Sequence, residues 1–224
     1  MVECLFTGTL YDCKGIYGEC LTCIIGDNTT GFQCGWCLTE RTCSVMEECS
    51  SSMFTTSISN CPDPEIDSVE PKKGPLEGGT RIKITGTNLG AEFEDILSVV
   101  LLGNVTNEHV SCHPIRDGYN VGMQVVCETG KFSKSGKYMM VMSVKRGNET
   151  NLANGSYTVV QPTLSGVMPS FGPKSGGVPV TIRGSDLDIG NTEKTQVLLN
   201  GVDCMVHSDR YVAVMKAKIM DCGT

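Results

Sequence analysis

Eight of the chain's 13 cysteines fall within the 49 residues from Cys13 to Cys61, at Cys13, Cys20, Cys23, Cys34, Cys37, Cys43, Cys49 and Cys61. The single tryptophan lies among them, in Cys34-Gly35-Trp36-Cys37. A segment this short cannot bury enough apolar surface to offset the entropy of ordering its backbone, so cross-links or bound metal must supply what a core does not. Two chemistries could do so. Cys20-x2-Cys23 and Cys34-x2-Cys37 are spaced like the two halves of a tetrahedral zinc site with four thiolate ligands. The other four cysteines have no place in a single zinc site, whereas eight divide into four disulfides without remainder, and the even count favours that reading.

The rest of the chain points the same way. Cys112 and Cys127 form a spaced pair further along, Cys204 and Cys222 another, and only Cys4 is left over. Disulfides on this scale belong to an oxidising compartment. Four Asn-x-Ser/Thr acceptors for N-glycosylation, at Asn28, Asn104, Asn148 and Asn154, fit the same exposure. The net charge of -7 opposes a nucleic-acid partner, which needs a concentrated basic surface. No apolar run approaches the roughly 18 residues of a membrane span, and residues 1–12 lack the pattern of a secretory leader. A disulfide-rich chain without its own leader is expected to be a piece of a longer one, with the partner of Cys4 outside it.

An internal repeat organises everything after Cys61. Residues 71–89 read PKKGPLEGGTRIKITGTNL and residues 169–187 read PSFGPKSGGVPVTIRGSDL. Pro71, Gly74, Pro75, Gly78, Gly79, Gly86 and Leu89 thus recur 98 residues later at Pro169, Gly172, Pro173, Gly176, Gly177, Gly184 and Leu187. A period of that size is a domain rather than a solenoid unit. The Pro-Gly cluster predicts a tight reversal. The alternation that follows, Arg81 to Thr85 and Pro179 to Arg183, predicts half-buried strands with Ile82 and Ile84, or Val180 and Ile182, facing inward.

Further strands are expected at Ile96 to Leu102, Val121 to Cys127, Lys137 to Lys145, Ser156 to Gln161, Thr195 to Leu199 and Tyr211 to Asp221. Short strands spaced by turn signals, with no sustained helical period, predict antiparallel β-sandwiches, the fold class being mainly β. The methionines of Lys137 to Lys145 read as core filler, and Glu92, Glu94 and Asp95 as a solvated turn. Cys112 and Cys127 would pin neighbouring strands. The second copy reaches Thr224 while the first continues for some 35 residues past Cys127, so the last domain is expected to be incomplete and to expose a sheet edge.

These motifs resemble a known arrangement. Tyr11-Asp12-Cys13, the two Cys-x2-Cys pairs and the later cysteines resemble the PSI domain of plexins, semaphorins and integrins. The Pro-x2-Gly-x3-Gly-Gly turn, the alternating strand and Gly-x-[Asn/Asp]-Leu resemble immunoglobulin-like IPT/TIG domains. Their order resembles the stalk of a plexin, a family of semaphorin receptors, and less closely that of the hepatocyte-growth-factor-receptor family of tyrosine kinases. The resemblance implies a tail of a preceding domain at 1–10, a PSI domain at 11–61, an IPT/TIG domain at 62–161 and a second, truncated one at 163–224. It also implies the pairing Cys13–Cys34, Cys20–Cys61, Cys23–Cys43 and Cys37–Cys49, which spacing alone cannot select from about 105 connectivities.

By the same resemblance the chain is a non-catalytic extracellular spacer on the outer side of the plasma membrane. Semaphorin would bind a sema domain absent from this chain, and receptor homodimerisation or a co-receptor could be involved. No cofactor or metal is implied. The chain's three histidines, His109, His113 and His207, stand in no catalytic motif. The joints Cys61-Pro62-Asp63-Pro64 and Gln161-Pro162-Thr163 are short and stiffened by proline, as a spacer requires.

Overall fold

The computed structural model describes residues 12–26, 33–50, 53–105, 107–146, 150–151, 156–189, 196–212 and 217–223. The first unit holds two short helices, α1 (Cys13–Ile16) and α2 (Cys20–Ile25), and a sheet in the order β2 (Thr42–Ser44), β1 (Gly35–Cys37), β3 (Phe54–Thr55). No helical period announces α1 and α2; side-chain caps start them. Asp12 accepts from Gly15 N at 3.0 Å, and Glu19 accepts from Leu21 N and Thr22 N at 3.2 and 2.5 Å.

The second unit is a β-sandwich built from β4 (Glu65–Glu70), β5 (Lys73–Pro75), β6 (Arg81–Thr87), β7 (Ile96–Gly103), β8 (His109–Asn120), β9 (Gln124–Thr129), β10 (Gly136–Val144), β11 (Thr150–Asn151) and β12 (Tyr157–Val160). Its strands run in the order β4-β6-β9-β8-β7-β10-β12-β5, with β11 on β10. Strand β8 serves both sheets. His109 to Ser111 pair with β7, and from Cys112 onward the strand pairs with β9. Alternation places Ile82 and Ile84, Val125 and Cys127, and Tyr138, Met140 and Met142 in one core with Phe132 and Tyr157. Phe132 meets the Tyr138 ring edge-on at 5.0 Å.

In each copy the reversal follows the Pro-Gly pair. Gly78 N donates to Pro75 O at 3.2 Å and Gly176 N to Pro173 O at 3.1 Å. The first copy's Gly74-Pro75 itself belongs to β5, which runs parallel to β12. The next two glycines take left-handed backbone in both copies, Gly78 and Gly79 at φ 74° and 70°, Gly176 and Gly177 at 71° and 76°.

The third unit is a sheet in the order β13 (Thr163–Met168), β14 (Gly176–Ser185), β17 (Ala217–Gly223), β16 (Val202–Val212), β15 (Val197–Leu199). That order repeats the β4-β6-β9-β8-β7 series of the first sandwich. Among the described residues no strand of this unit takes the place of β5, β10 or β12. Leu164, Met168, Phe171 and Leu198 are correspondingly exposed.

Three expectations need correction. Tyr211 to Asp221 is not one strand: it spans the end of β16 and most of β17, which pair antiparallel. Val121 to Met123 form a turn, with β9 beginning at Gln124. Asp95 is no solvated residue. It is 6% exposed and its carboxylate accepts from Ala91 N and Glu92 N at 3.1 and 3.2 Å, capping the turn Phe93–Asp95.

Candidate functional site: a cross-linked knot and its joints

Cysteines 13 and 34, 20 and 61, 23 and 43, and 37 and 49 are joined as disulfides, with Cα separations of 5.8, 5.6, 5.6 and 5.8 Å. The bridges close loops of 21, 41, 20 and 12 residues. In the chain-entropy account each such closure contributes about 3 to 4 kcal/mol by restricting the unfolded chain. Trp36, 5% exposed, packs with Cys13, Cys20, Cys23, Cys34 and Cys43, so the knot's small core is sulfur around one indole.

Thiols that could hold a metal come together at Cys13, Cys34 and Cys43, and beside Glu40 at Cys37 and Cys49. Every one of these sulfurs is taken by a disulfide and offers no thiolate.

In the first sandwich Cys112 and Cys127 are joined across β8 and β9, closing 15 residues where β8 changes sheets. Cys204 is also disulfide-bonded, and the residue opposite it on β17 is Cys222. Of the four glycan acceptors, Asn104 lies exposed in the turn between β7 and β8. Asn28, Asn148 and Asn154 lie outside the described residues, as does Cys4.

Contacts among the described residues cross both joints between units. Glu19, 3% exposed at the start of α2, accepts from the backbone N–H of Asn88 at 3.2 Å, besides capping its own helix. Gly122 faces the same carboxylate so closely that a Cβ there would lie 2.7 Å from Glu19 Cδ. Beside this contact a cleft of about 100 Å³ is lined by Leu21, Cys61, Pro62, Asn88, Gly90 and Arg146. Between the sandwiches, Lys73 Nζ meets Asp186 Oδ1 at 3.3 Å, with both side chains reaching solvent.

Close to the first joint, Tyr119 donates to Gly90 O at 2.8 Å, and its phenol is pushed up to about 12 by burial and by the nearby Asp95 carboxylate. Arg116 lies over the Phe93 ring at 4.8 Å and pairs with Glu94, whose carboxyl it holds below the usual range. His109 and His113 stand on β8 and His207 on β16. Sequence reasoning missed Glu19 as a contact residue. Its only signal was a carboxylate directly before a helix, which says nothing of a partner about 70 residues away.

The architecture is decided by two stretches that match one domain model, described as IPT/TIG domain, over residues 64–159 and 162–216. The chain belongs to the IPT/TIG family. Its two IPT/TIG units also align beyond that model. The chain is similar to plexin-A4 of Mus musculus, 33% identical over 206 residues and 88% of this chain, and to plexin-A4 of Homo sapiens at 34% over the same share. Plexin-B1 of Homo sapiens is 33% identical over 87% of it. The chain spans 9 to 10% of the length of these relatives. It superposes on the plexin A4 full extracellular region, domains 1 to 8, with a TM-score of 0.76 and 31% identity, covering 96% of this chain and 21% of that one. The knot is therefore part of the likeness, and the arrangement of cysteine knot followed by IPT/TIG units is that of a plexin extracellular region.

Proposed function

We propose that this chain is a stalk segment of a plexin-type semaphorin receptor, a non-catalytic spacer outside the cell that sets the distance and angle between a ligand-binding head and the membrane. The observation that carries this reading is the superposition over 96% of the chain, knot included, on a plexin extracellular region. The reading carries a module assignment with it: a PSI domain at 11–61, an IPT/TIG domain at 62–161 and a second, truncated one at 163–224. The buried disulfides and the consumed thiols support an oxidising, extracellular location. Asn104 is offered as a glycan acceptor because it is an exposed turn residue, and Asn28, Asn148 and Asn154 on their sequons alone.

A spacer acts through its stiffness, which suggests a direct test. In a semaphorin-responsive plexin, the matching segment is exchanged for residues 12–216 of this chain, or for a flexible Gly/Ser linker of equal contour length. Ligand-induced signalling should survive the first exchange and fall several-fold with the second. Equal signalling from both would defeat the spacer reading. Intact mass before and after thiol alkylation without reductant checks the compartment. Labelling of the cysteines from Cys13 to Cys61 in secreted protein would contradict it.

A further inference from the structure

The two sandwiches meet their preceding neighbours through the same turn. In the first, Gly86-Thr87-Asn88-Leu89 carries the chain off the end of β6, and Asn88, the first residue past the strand, donates its backbone N–H to Glu19 of the knot. In the second, Gly184-Ser185-Asp186-Leu187 carries the chain off the end of β14, and Asp186, the first residue past the strand, pairs with Lys73 of the first sandwich. Asn88 and Asp186 are in repeat register, 98 residues apart, and both adopt left-handed backbone, at φ 55° and 53°. Asn and Asp tolerate that conformation better than other residues with a Cβ. It turns the chain out of the sheet at the end that faces the previous module.

We propose that the Gly-x-[Asn/Asp]-Leu turn is the docking element by which each IPT/TIG unit fixes its angle to the module before it, and that the two joints differ in kind. The first is a rivet and the second a hinge. This deepens the spacer reading and rests on it for its purpose, though not for its geometry.

The difference follows from burial. Glu19 is withdrawn from water and shared among Leu21 N, Thr22 N and Asn88 N. Rotating the knot away from the sandwich would strip a buried carboxylate of a donor, and a buried charge that loses a partner is strongly penalised. Gly122 closes the other side: its φ is 68°, and a Cβ there would lie 2.7 Å from Glu19 Cδ. At the second joint, Lys73 and Asp186 keep 57% and 23% of their side-chain surface. Such an exposed pair contributes little and is screened by salt. Bending of the chain therefore concentrates at Gln161-Pro162-Thr163, while the knot and the first sandwich move as one body.

Residual dipolar couplings on the labelled full chain test this, read as alignment tensors for the knot, the first and the second sandwich. In the native sequence the first two should share one tensor, and the third should differ or be reduced in magnitude. Glu19→Ser keeps a capping acceptor for α2 but does not reach Asn88, and it should split the shared tensor. Gly122→Ala attacks the contact from the sandwich side and should do the same. Should Glu19→Ser collapse the knot's amide dispersion, the outcome with Gly122→Ala decides. Lys73→Ala, or about 0.5 M salt, should loosen only the second joint.

One tensor for all three units, unmoved by Lys73→Ala, would overturn the proposal. So would a knot that stays locked to the first sandwich in the variants that keep it folded. A failed spacer reading would appear instead in the receptor exchange, with these tensors as proposed.

Discussion

Replacing Gly86 with alanine isolates one physical cause. Gly86 lies on β6 opposite Ile66 of β4, and a Cβ there would lie 3.0 Å from the Glu65 carbonyl carbon, 3.1 Å from Ile66 Cα and closer still to the Glu65 oxygen. These are backbone atoms and cannot rotate away. Carbon contacts settle near 3.5 to 4.0 Å, so β4 must back off by about half an ångström or more. The pairs Glu65–Thr87 and Ile66–Gly86 then open. Two ladder hydrogen bonds at about 1 kcal/mol each, plus part of the burial of Ile66, come to about 3 kcal/mol. For a unit of this size that lowers Tm by about 12 to 24 °C.

Gly79→Ala is the control. Gly79 has φ 70° but open space around its Cβ position, so the change costs only the left-handed penalty of about 1 kcal/mol. Near-UV circular dichroism from the buried Tyr138 and Tyr157 follows the first sandwich, and Trp36 fluorescence follows the knot. A Gly86→Ala melt no lower than that of Gly79→Ala would refute the reasoning.

Three further outcomes are expected. Replacing both Cys112 and Cys127 with alanine should lower the stability of the first sandwich by about 3 kcal/mol in urea titration, the value for a 15-residue loop; an unchanged midpoint contradicts it. In alkaline titration followed by tyrosinate absorbance, Tyr119 should ionise last or nearly so, at about 12, and Tyr119→Phe should remove that step. Because the folded value is raised, this group's stabilisation is complete below the ordinary tyrosine range and declines as pH rises from there toward 12. Glu108 accepts from Tyr138 Oη and Ser133 N at 2.6 and 2.7 Å, and the Tyr138 hydrogen bond in particular holds its carboxyl below the usual 4.5. Its stabilisation is present above the unfolded value and lost as pH falls through the folded one, so Glu108→Gln should flatten the acid limb of the stability profile. An identical limb in both proteins contradicts this.

The strands legible in the sequence were those with one wet face and one dry face. Ile82 with Ile84 declared β6 by alternation alone, and Val180 with Ile182 declared β14 in the same way. Those that escaped lack that signal. The long β8 carries Pro114 and Gly118 and serves two sheets, so its inward positions do not keep one period. Strand β5 hides inside a Pro-Gly sequence because its pairing with β12 depends on residues more than 80 positions away. The helices α1 and α2 are too short to show a period and exist because bridges and caps hold them. The cysteine count indicated a cross-linked knot, but the joints were invisible. Glu19 and Asn88 are ordinary polar residues until folding brings them together.

The parallel pairing of β5 with β12 bears on how such a segment responds to being pulled. Strand β5 lies near the N-terminal end of the first sandwich and β12 is its last strand, and they run side by side through Lys73–Thr158, Gly74–Val159 and Pro75–Val160. Tension between the two ends of that unit draws these strands past each other lengthwise. Their hydrogen bonds then share the load at once instead of failing singly like teeth of a zipper. Traction along the chain through this unit thus meets resistance in shear, the direction in which a β-ladder is strongest.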